Sequence, residues 1–171
     1  MFTGEILFLD RDDINTDEII PARYLNEISK GDLKPHLFED LDLPGCSEEK
    51  LTSSGAVVTR SNFGCGSSRE HAAWALQVNS IRMVISSGFA RIFRQNMYNC
   101  GLLPVELGKE QIDELFTLFS GGKAEAAADM DGPTLTVAGS GVEKDYGFEL
   151  SDFHRDLIRS GGWVEYAAER F

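Results

Sequence analysis

Asn62-Phe63-Gly64-Cys65-Gly66-Ser67-Ser68-Arg69-Glu70-His71-Ala72 lies between a short apolar run at 56–59 and an amphipathic run through Leu76. The order reads as a buried strand, a tight turn and the start of a helix. Two glycines let the backbone turn sharply and approach a ligand closely. A helix N-terminus presents unpaired N–H groups and partial positive charge, which suits a carboxylate or phosphate. Arg69 adds a planar fork that fits a carboxylate with two hydrogen bonds. Together these make a short anion-binding device. The local alternative is a capping box, with Ser67 as N-cap and Glu70 at the third helical position. Ser67 cannot easily both cap a helix and act on a substrate, whereas Ser68 can take the capping role instead.

Outward from this turn, strand and helix signals mix. Residues 3–9 alternate as a strand and end in the turn formers Asp10-Arg11-Asp12-Asp13. Residues 82–86 read as another strand. Residues 89–100 have helical spacing, with Gly101 placed as a C-cap glycine. Residues 110–119 form a second helix, with Ile112, Leu115, Phe116 and Phe119 on one face. Further on, 134–137 is β-like, 148–150 is its expected short partner, and 151–158 is a helix capped by Ser151. Trp74, Phe89, Phe93 and Phe116 are expected in the core. The pattern lacks the even rhythm of a doubly wound sheet, so the expected fold class is α/β with a mixed sheet. Residues 26–55 are a long polar stretch, and such a loop is usually functional, mobile or an interface.

The 171 residues are 42% hydrophobic and 26% charged, in keeping with one domain spanning 1–171. Apolar runs reach only about six residues against the roughly 20 of a spanning helix, so no membrane partner is expected. The opening Met-Phe-Thr-Gly-Glu has no basic n-region, which argues against a secretory signal. Sixteen basic residues face 28 acidic ones for a net charge of −12, which argues against nucleic acid. An anionic small molecule remains compatible if a local cluster binds it. Cys46, Cys65 and Cys100 form no CxxC pair, so disulfides are not expected and a reducing cytoplasm is. Their spacing also matches no zinc or iron–sulfur ligand set. Cys65 and His71 invite a thiol-nucleophile reading, but nothing in the spacing brings the ring back to the thiol.

Two more clusters share this texture. Asp12-Asp13-Ile14-Asn15-Thr16-Asp17-Glu18 reads locally as a solvated turn, with Thr16 or Asp17 capping the segment before Pro21. Ser87-Gly88-Phe89-Ala90-Arg91-Ile92-Phe93 again sets a glycine, a helix start and an arginine together. Taken in order with the central block, these resemble the motifs of the small subunit of 3-isopropylmalate dehydratase, in the aconitase superfamily. The opening block there is Asp13 to Pro21 followed by Tyr24-Leu25, and the third is followed by Asn96, Asn99, Gly101 and Leu103.

The resemblance implies a swivelling β/β/α domain, like the C-terminal domain of aconitase. It implies a hydro-lyase that interconverts 2- and 3-isopropylmalate by dehydration and rehydration in leucine biosynthesis. The small subunit is active only with a large subunit, which carries a [4Fe–4S] cluster; this chain would bind no cofactor or metal itself. The assembly would be a heterodimer or heterotetramer. Residue by residue, the resemblance makes Ser67 the catalytic base and gives Arg69 a substrate carboxylate to bind. Ser68 and Asp17 join the substrate site, and capping passes to Ser68 or to water. The loop after Tyr24-Leu25 faces the substituent that differs among related acids. Here Asn26-Glu27-Ile28-Ser29-Lys30 departs from the Leu-Arg-Thr form of some archaeal members, so Ile28 is expected against an apolar branch. Lys30 or Arg23 can supply the missing charge, which keeps a homoaconitase-type enzyme open, and a dimethylmalate-type dehydratase is a further alternative. A non-catalytic anion-binding or regulatory module of the same fold is the alternative from another class. Residues 26–55 are the expected mobile loop.

Overall fold

The alternating apolar residues near the N-terminus become β1 (Phe2–Leu9), the strand around which the sheet is arranged. The computed structural model describes residues 1–26 and 29–171. The other strands are β2 (Ser54–Thr59), β3 (Met83–Ser86), β4 (Leu103–Glu106), β5 (Ala124–Asp129), β6 (Thr134–Gly139) and β7 (Val142–Gly147). They form one seven-stranded sheet in the order β4-β3-β2-β1-β5-β6-β7. From β4 to β1 neighbouring strands are parallel, and from β1 to β7 they are antiparallel. The sheet is mixed, as the sequence leads one to expect.

Parallel neighbours need crossover connections, usually helical. α1 (Thr16–Ile19) and α2 (Glu48–Ser53) lie between β1 and β2, α3 (His71–Val78) joins β2 to β3, and α4 (Arg91–Asn99) joins β3 to β4. α5 (Lys109–Phe119) leads into β5, and α6 (Asp152–Ser160) and α7 (Trp163–Arg170) follow β7. The strand period of two divides the core between the sheet's faces. Leu7, Leu9, Val57 and Val84 pack with Leu76 of α3 and with Phe93 and Met97 of α4. Ile6, Ala56, Val58, Met83 and Ile85 pack with Ile112, Leu115, Phe116 and Phe119 of α5. Of the expected core aromatics, Phe93 and Phe116 are buried, while Trp74 and Phe89 are partly buried against the same cluster as Phe93.

Several local expectations change. The helix after the central turn begins at His71, so Arg69 precedes the first turn and Ser67 caps nothing. Asn15, not Thr16 or Asp17, caps α1, in a capping box with Glu18. β5 reads Ala-Glu-Ala-Ala-Ala-Asp, a helix-former's composition, yet it pairs with both β1 and β6. Strand pairing overrides propensity there, with Ala124, Ala126 and Ala128 buried. β6 pairs with β7 rather than with 148–150. The charged run Glu143-Lys144-Asp145 hid β7, and charge suits its place at the sheet edge.

The polar stretch 26–55 carries structure where it is described. A 3-10 helix spans Lys30–His36, α2 follows, and Leu33, Leu37, Phe38 and Leu41 are buried. Glu27 and Ile28 lie outside the described residues, and so does the expected role of Ile28.

Gly64 is the residue of the central turn with least room for change. Its φ is +80°, and a Cβ there would fall 2.1 Å from the Phe93 ring. Positive φ and overpacking each cost on the order of 1–3 kcal/mol. Gly64→Ala is therefore expected to lose about 2–5 kcal/mol of stability by chemical denaturation, and a loss below about 1 kcal/mol would contradict this packing.

Candidate functional site

The three sequence clusters lie just past the carboxyl ends of β1, β2 and β3, the edge where open α/β sheets take ligands. There the chain continues the parallel pairing in short bridges, Asn15 with Cys65 and Phe63 with Phe89. Gly64 N–H donates to the Ile14 carbonyl at 2.8 Å, and Thr16 N–H to the Cys65 carbonyl at 2.9 Å. On the other side Phe63 N–H donates to the Gly88 carbonyl at 3.1 Å, and Ala90 N–H to the Phe63 carbonyl at 3.0 Å. Segments some 50 and 25 residues apart thus form one three-ply ridge.

Side chains lock its outer edge. The Asp12 carboxylate accepts from the Ser61 N–H at 2.9 Å and from the Ser61 hydroxyl at 2.6 Å. Asn62 Nδ2 donates to Asp13 Oδ1 at 2.8 Å. Asp13 and Asn62 both take left-handed backbone, at φ +57° and +56°. Aspartate and asparagine tolerate this conformation better than most residues.

The turn itself is held from two sides. Ser67 N–H donates to Thr16 Oγ1 at 3.0 Å, and Asn96 Nδ2 donates to the Ser68 carbonyl at 3.1 Å. Thr16 and Asn96 are both buried. The Arg69 N–H points back at Ser67 Oγ, 3.3 Å away. A small cleft opens here, lined by Thr16, Asp17, Ile20, Leu25, Ser67, Arg69 and Ala72. Asp17, Ser67 and Arg69 therefore meet around one space. Ser68 is exposed and does not line it. Among the described residues Arg69 takes part in no ion pair, while Arg11 is paired with Glu18 and Arg23 with Asp40.

The thiol reading finds no support in this geometry. Cys65 Sγ lies 3.6 Å from the Asp13 carbonyl, and burial with the Asp13 charge pushes its pKa up, away from the reactive thiolate. The His71 ring packs on Trp74, with ring centroids 4.7 Å apart. Among the described residues no group of three or more His, Cys, Asp or Glu is arranged to hold a metal ion. A wider cleft of about 1070 Å³ is lined by residues including Ser61, Arg91, Asn96, Lys109 and His154. Size would favour it, but neither Asp17, Ser67, Ser68 nor Arg69 lines it.

This arrangement has known relatives. The profile of the Aconitase C-terminal domain matches residues 47–110. The 3-isopropylmalate dehydratase small subunit of Leptospira interrogans is 36% identical over 173 residues, covering 94% of this chain and 82% of the relative. The crystal structure of 3-isopropylmalate dehydratase from Methanocaldococcus jannaschii superposes with a TM-score of 0.78 at 30% identity. That match covers 98% of this chain and 93% of the other.

The chain belongs to the 3-isopropylmalate dehydratase small-subunit family.

Within a dehydratase small subunit the quoted motifs thus have a joint structural meaning, since each supplies one ply of the same ridge. The reading of the turn as a helix N-terminus needs correction: α3 starts four residues after Ser67. The N–H nearest the Ser67 oxygen is instead that of Arg69. Thr16 and Asn96 were legible only as members of motifs, because their contacts cross 51 and 28 residues of sequence.

The Ser61 hydrogen bonds hold the Asp12 carboxyl below its ordinary value of 3.8. A depressed carboxylate pKa contributes stability above the unfolded pKa, and that contribution is lost as pH falls through the lowered value. Ser61→Ala removes the hydroxyl and is expected to move the Asp12 titration upward, read by carboxyl NMR. A titration left in place would show that the hydroxyl does not set it.

Proposed function

We propose that this chain is the small subunit of an isopropylmalate-isomerising hydro-lyase, working with a large subunit in leucine biosynthesis. The observation that supports this best is the meeting of Ser67, Arg69 and Asp17 around one cleft in a chain of this family. On this reading the partner carries a [4Fe–4S] cluster. When bound, that cluster supplies a Lewis acid for the departing hydroxyl. The assembly is a heterodimer or heterotetramer in the cytoplasm. No helix among the described residues is long and apolar enough to cross a membrane.

The chemistry asked of this chain is proton transfer at carbon and grip on a carboxylate. Arg69 offers two parallel N–H groups to a substrate carboxylate, and among the described residues no carboxylate pairs with that fork. Ser67 Oγ takes the proton from the carbon beside the carbinol and returns it on the other carbon during rehydration. A serine is a weak base unless its oxyanion is stabilised, and the Arg69 N–H directed at Ser67 Oγ does that. Asp17 also lines the cleft, and on this reading it orients the polar end of the substrate.

The surroundings favour a dicarboxylate with an apolar branch. Arg23 donates to both Asp40 oxygens, at 2.7 and 2.9 Å, so its charge is already matched. Lys30 Nζ reaches Gln77 Oε1 at 3.3 Å and sits 5.0 Å from the centroid of the Trp74 ring. Arg23 is thus not left over for a third carboxylate, and Lys30 is engaged with neutral groups; an unpaired buried charge is costly. Ile20, Leu25 and Ala72 give the cleft an apolar wall.

The test is anaerobic turnover of this chain with its large subunit on isopropylmalate, homocitrate, citrate and dimethylmalate. Turnover confined to isopropylmalate is expected. Turnover of a tricarboxylate would move the assignment to a homoaconitase-type enzyme, and no turnover with an intact cluster would favour a binding module. In the active complex Ser67→Ala is expected to lower kcat by about 10²- to 10⁴-fold with little change in thermal stability. Arg69→Lys keeps charge but loses the fork, so KM rises and kcat falls; unchanged kinetics would remove Arg69 from substrate binding.

A further inference from the structure

The Ser68 carbonyl and the Arg69 N–H belong to one peptide unit. That unit is planar, so whatever grips its oxygen also sets the direction of its hydrogen. Asn96 grips the oxygen, from a buried position on α4, through Nδ2 at 3.1 Å. The hydrogen points at Ser67 Oγ, with Arg69 N 3.3 Å away. The turn needs such a hold. Residues 67–69 make no strand or helix pairing of their own, and Gly66 just before them is at φ +104°.

Thr16 completes the clamp from the opposite side. Its Oγ1 takes the Ser67 N–H at 3.0 Å, while its own N–H is tied to the Cys65 carbonyl at 2.9 Å. We infer that Asn96 and Thr16 are positioning residues for the reaction: Asn96 aims the Arg69 N–H at the Ser67 oxygen, and Thr16 fixes the Ser67 backbone beneath it. Neither has to touch the substrate. The inference rests on Ser67 acting as the base, as proposed above. Through that one N–H, Asn96 controls how readily Ser67 carries negative charge, and an asparagine amide can do this where a carboxylate of the same shape cannot.

Asn96→Asp replaces the donor with an acceptor that repels the Ser68 carbonyl. In the reconstituted complex it is expected to lower kcat about 100-fold, the usual effect of losing one oxyanion donor, with KM changed less than about twofold. The ascending, acidic limb of the pH–kcat profile should move to higher pH, because the serine oxyanion is harder to form. Thr16→Val should also lower kcat, and Thr16→Ser, which keeps the hydroxyl, should restore most of it. An active complex in which Asn96→Asp and Thr16→Val both stay within about threefold of wild type would overturn the inference. So would losses that appear only with a matching drop in thermal stability and an unmoved pH profile. Amide exchange in the full chain separates this from failure of the function itself. If wild type turns over none of the acids, the proposed reaction fails; tenfold faster exchange of the Arg69 amide in Asn96→Asp would still support the clamp, and unchanged exchange would overturn it.

Discussion

Gly64 donates its N–H to Ile14 while its neighbour Phe63 pairs with Gly88 and Ala90, and on these few backbone hydrogen bonds the arrangement of the site depends. Parallel strands usually diverge into loops at their carboxyl ends. Here the loops remain paired past the ends of β1, β2 and β3 for several residues. The middle ply also lies against α4, and there only a glycine leaves room for the Phe93 ring at Gly64. The cleft residues then follow. Thr16 is beside Ser67 because Asn15 is beside Cys65, and Asn96 reaches Ser68 because α4 starts just beyond the third ply.

Electrostatics divides the same region into matched and unmatched charge. The chain has a net charge of −12, so an arginine has many carboxylates available to it. Arg11 is held by Glu18, Arg23 by Asp40, and Arg60 by Asp10 and Asp113. These exposed pairs contribute little stability, since solvent screens them and ordering long side chains has an entropic cost. Their effect is to occupy cations that would otherwise offer alternative anion sites. Among the described residues Arg69, Arg82 and Arg91 form no ion pair, and of these three Arg69 lines the small cleft.

Much of the fold could be read from the sequence because its signals were local. Helical spacing and a C-cap glycine marked α4, one apolar face marked α5, and Ser151 marked the start of α6. The misses came where tertiary pairing outweighed local preference. An alanine-rich segment became β5 because two partners and a buried face were waiting for it, and charged β7 became an edge strand. At the site, the residue types and their order were legible, as was the use of glycine in the turn. What could not be read was which N–H faces the serine. Capping-box spacing suggested that Ser67 opens the helix, yet Thr16 and Asn96, from distant motifs, hold the turn away from helical geometry.

That displacement matters chemically. A serine used as an N-cap gives its oxygen to an amide inside the helix, which fixes the oxygen toward the protein. Moved four residues upstream, Ser67 keeps one N–H contact, from Arg69, and its remaining face is on the cleft. One donor is enough to favour the oxyanion without surrounding it, so the oxygen can still reach a C–H bond. On the proposed reading, the guanidinium that binds the carboxylate belongs to the same residue as that N–H. Carboxylate binding and oxyanion support would then be anchored at a single Cα. An exposed arginine loses little by waiting in water, but desolvating it is costly until a carboxylate arrives. On the proposed reading, shielding Arg69 from water is thus favoured with substrate present and disfavoured without it.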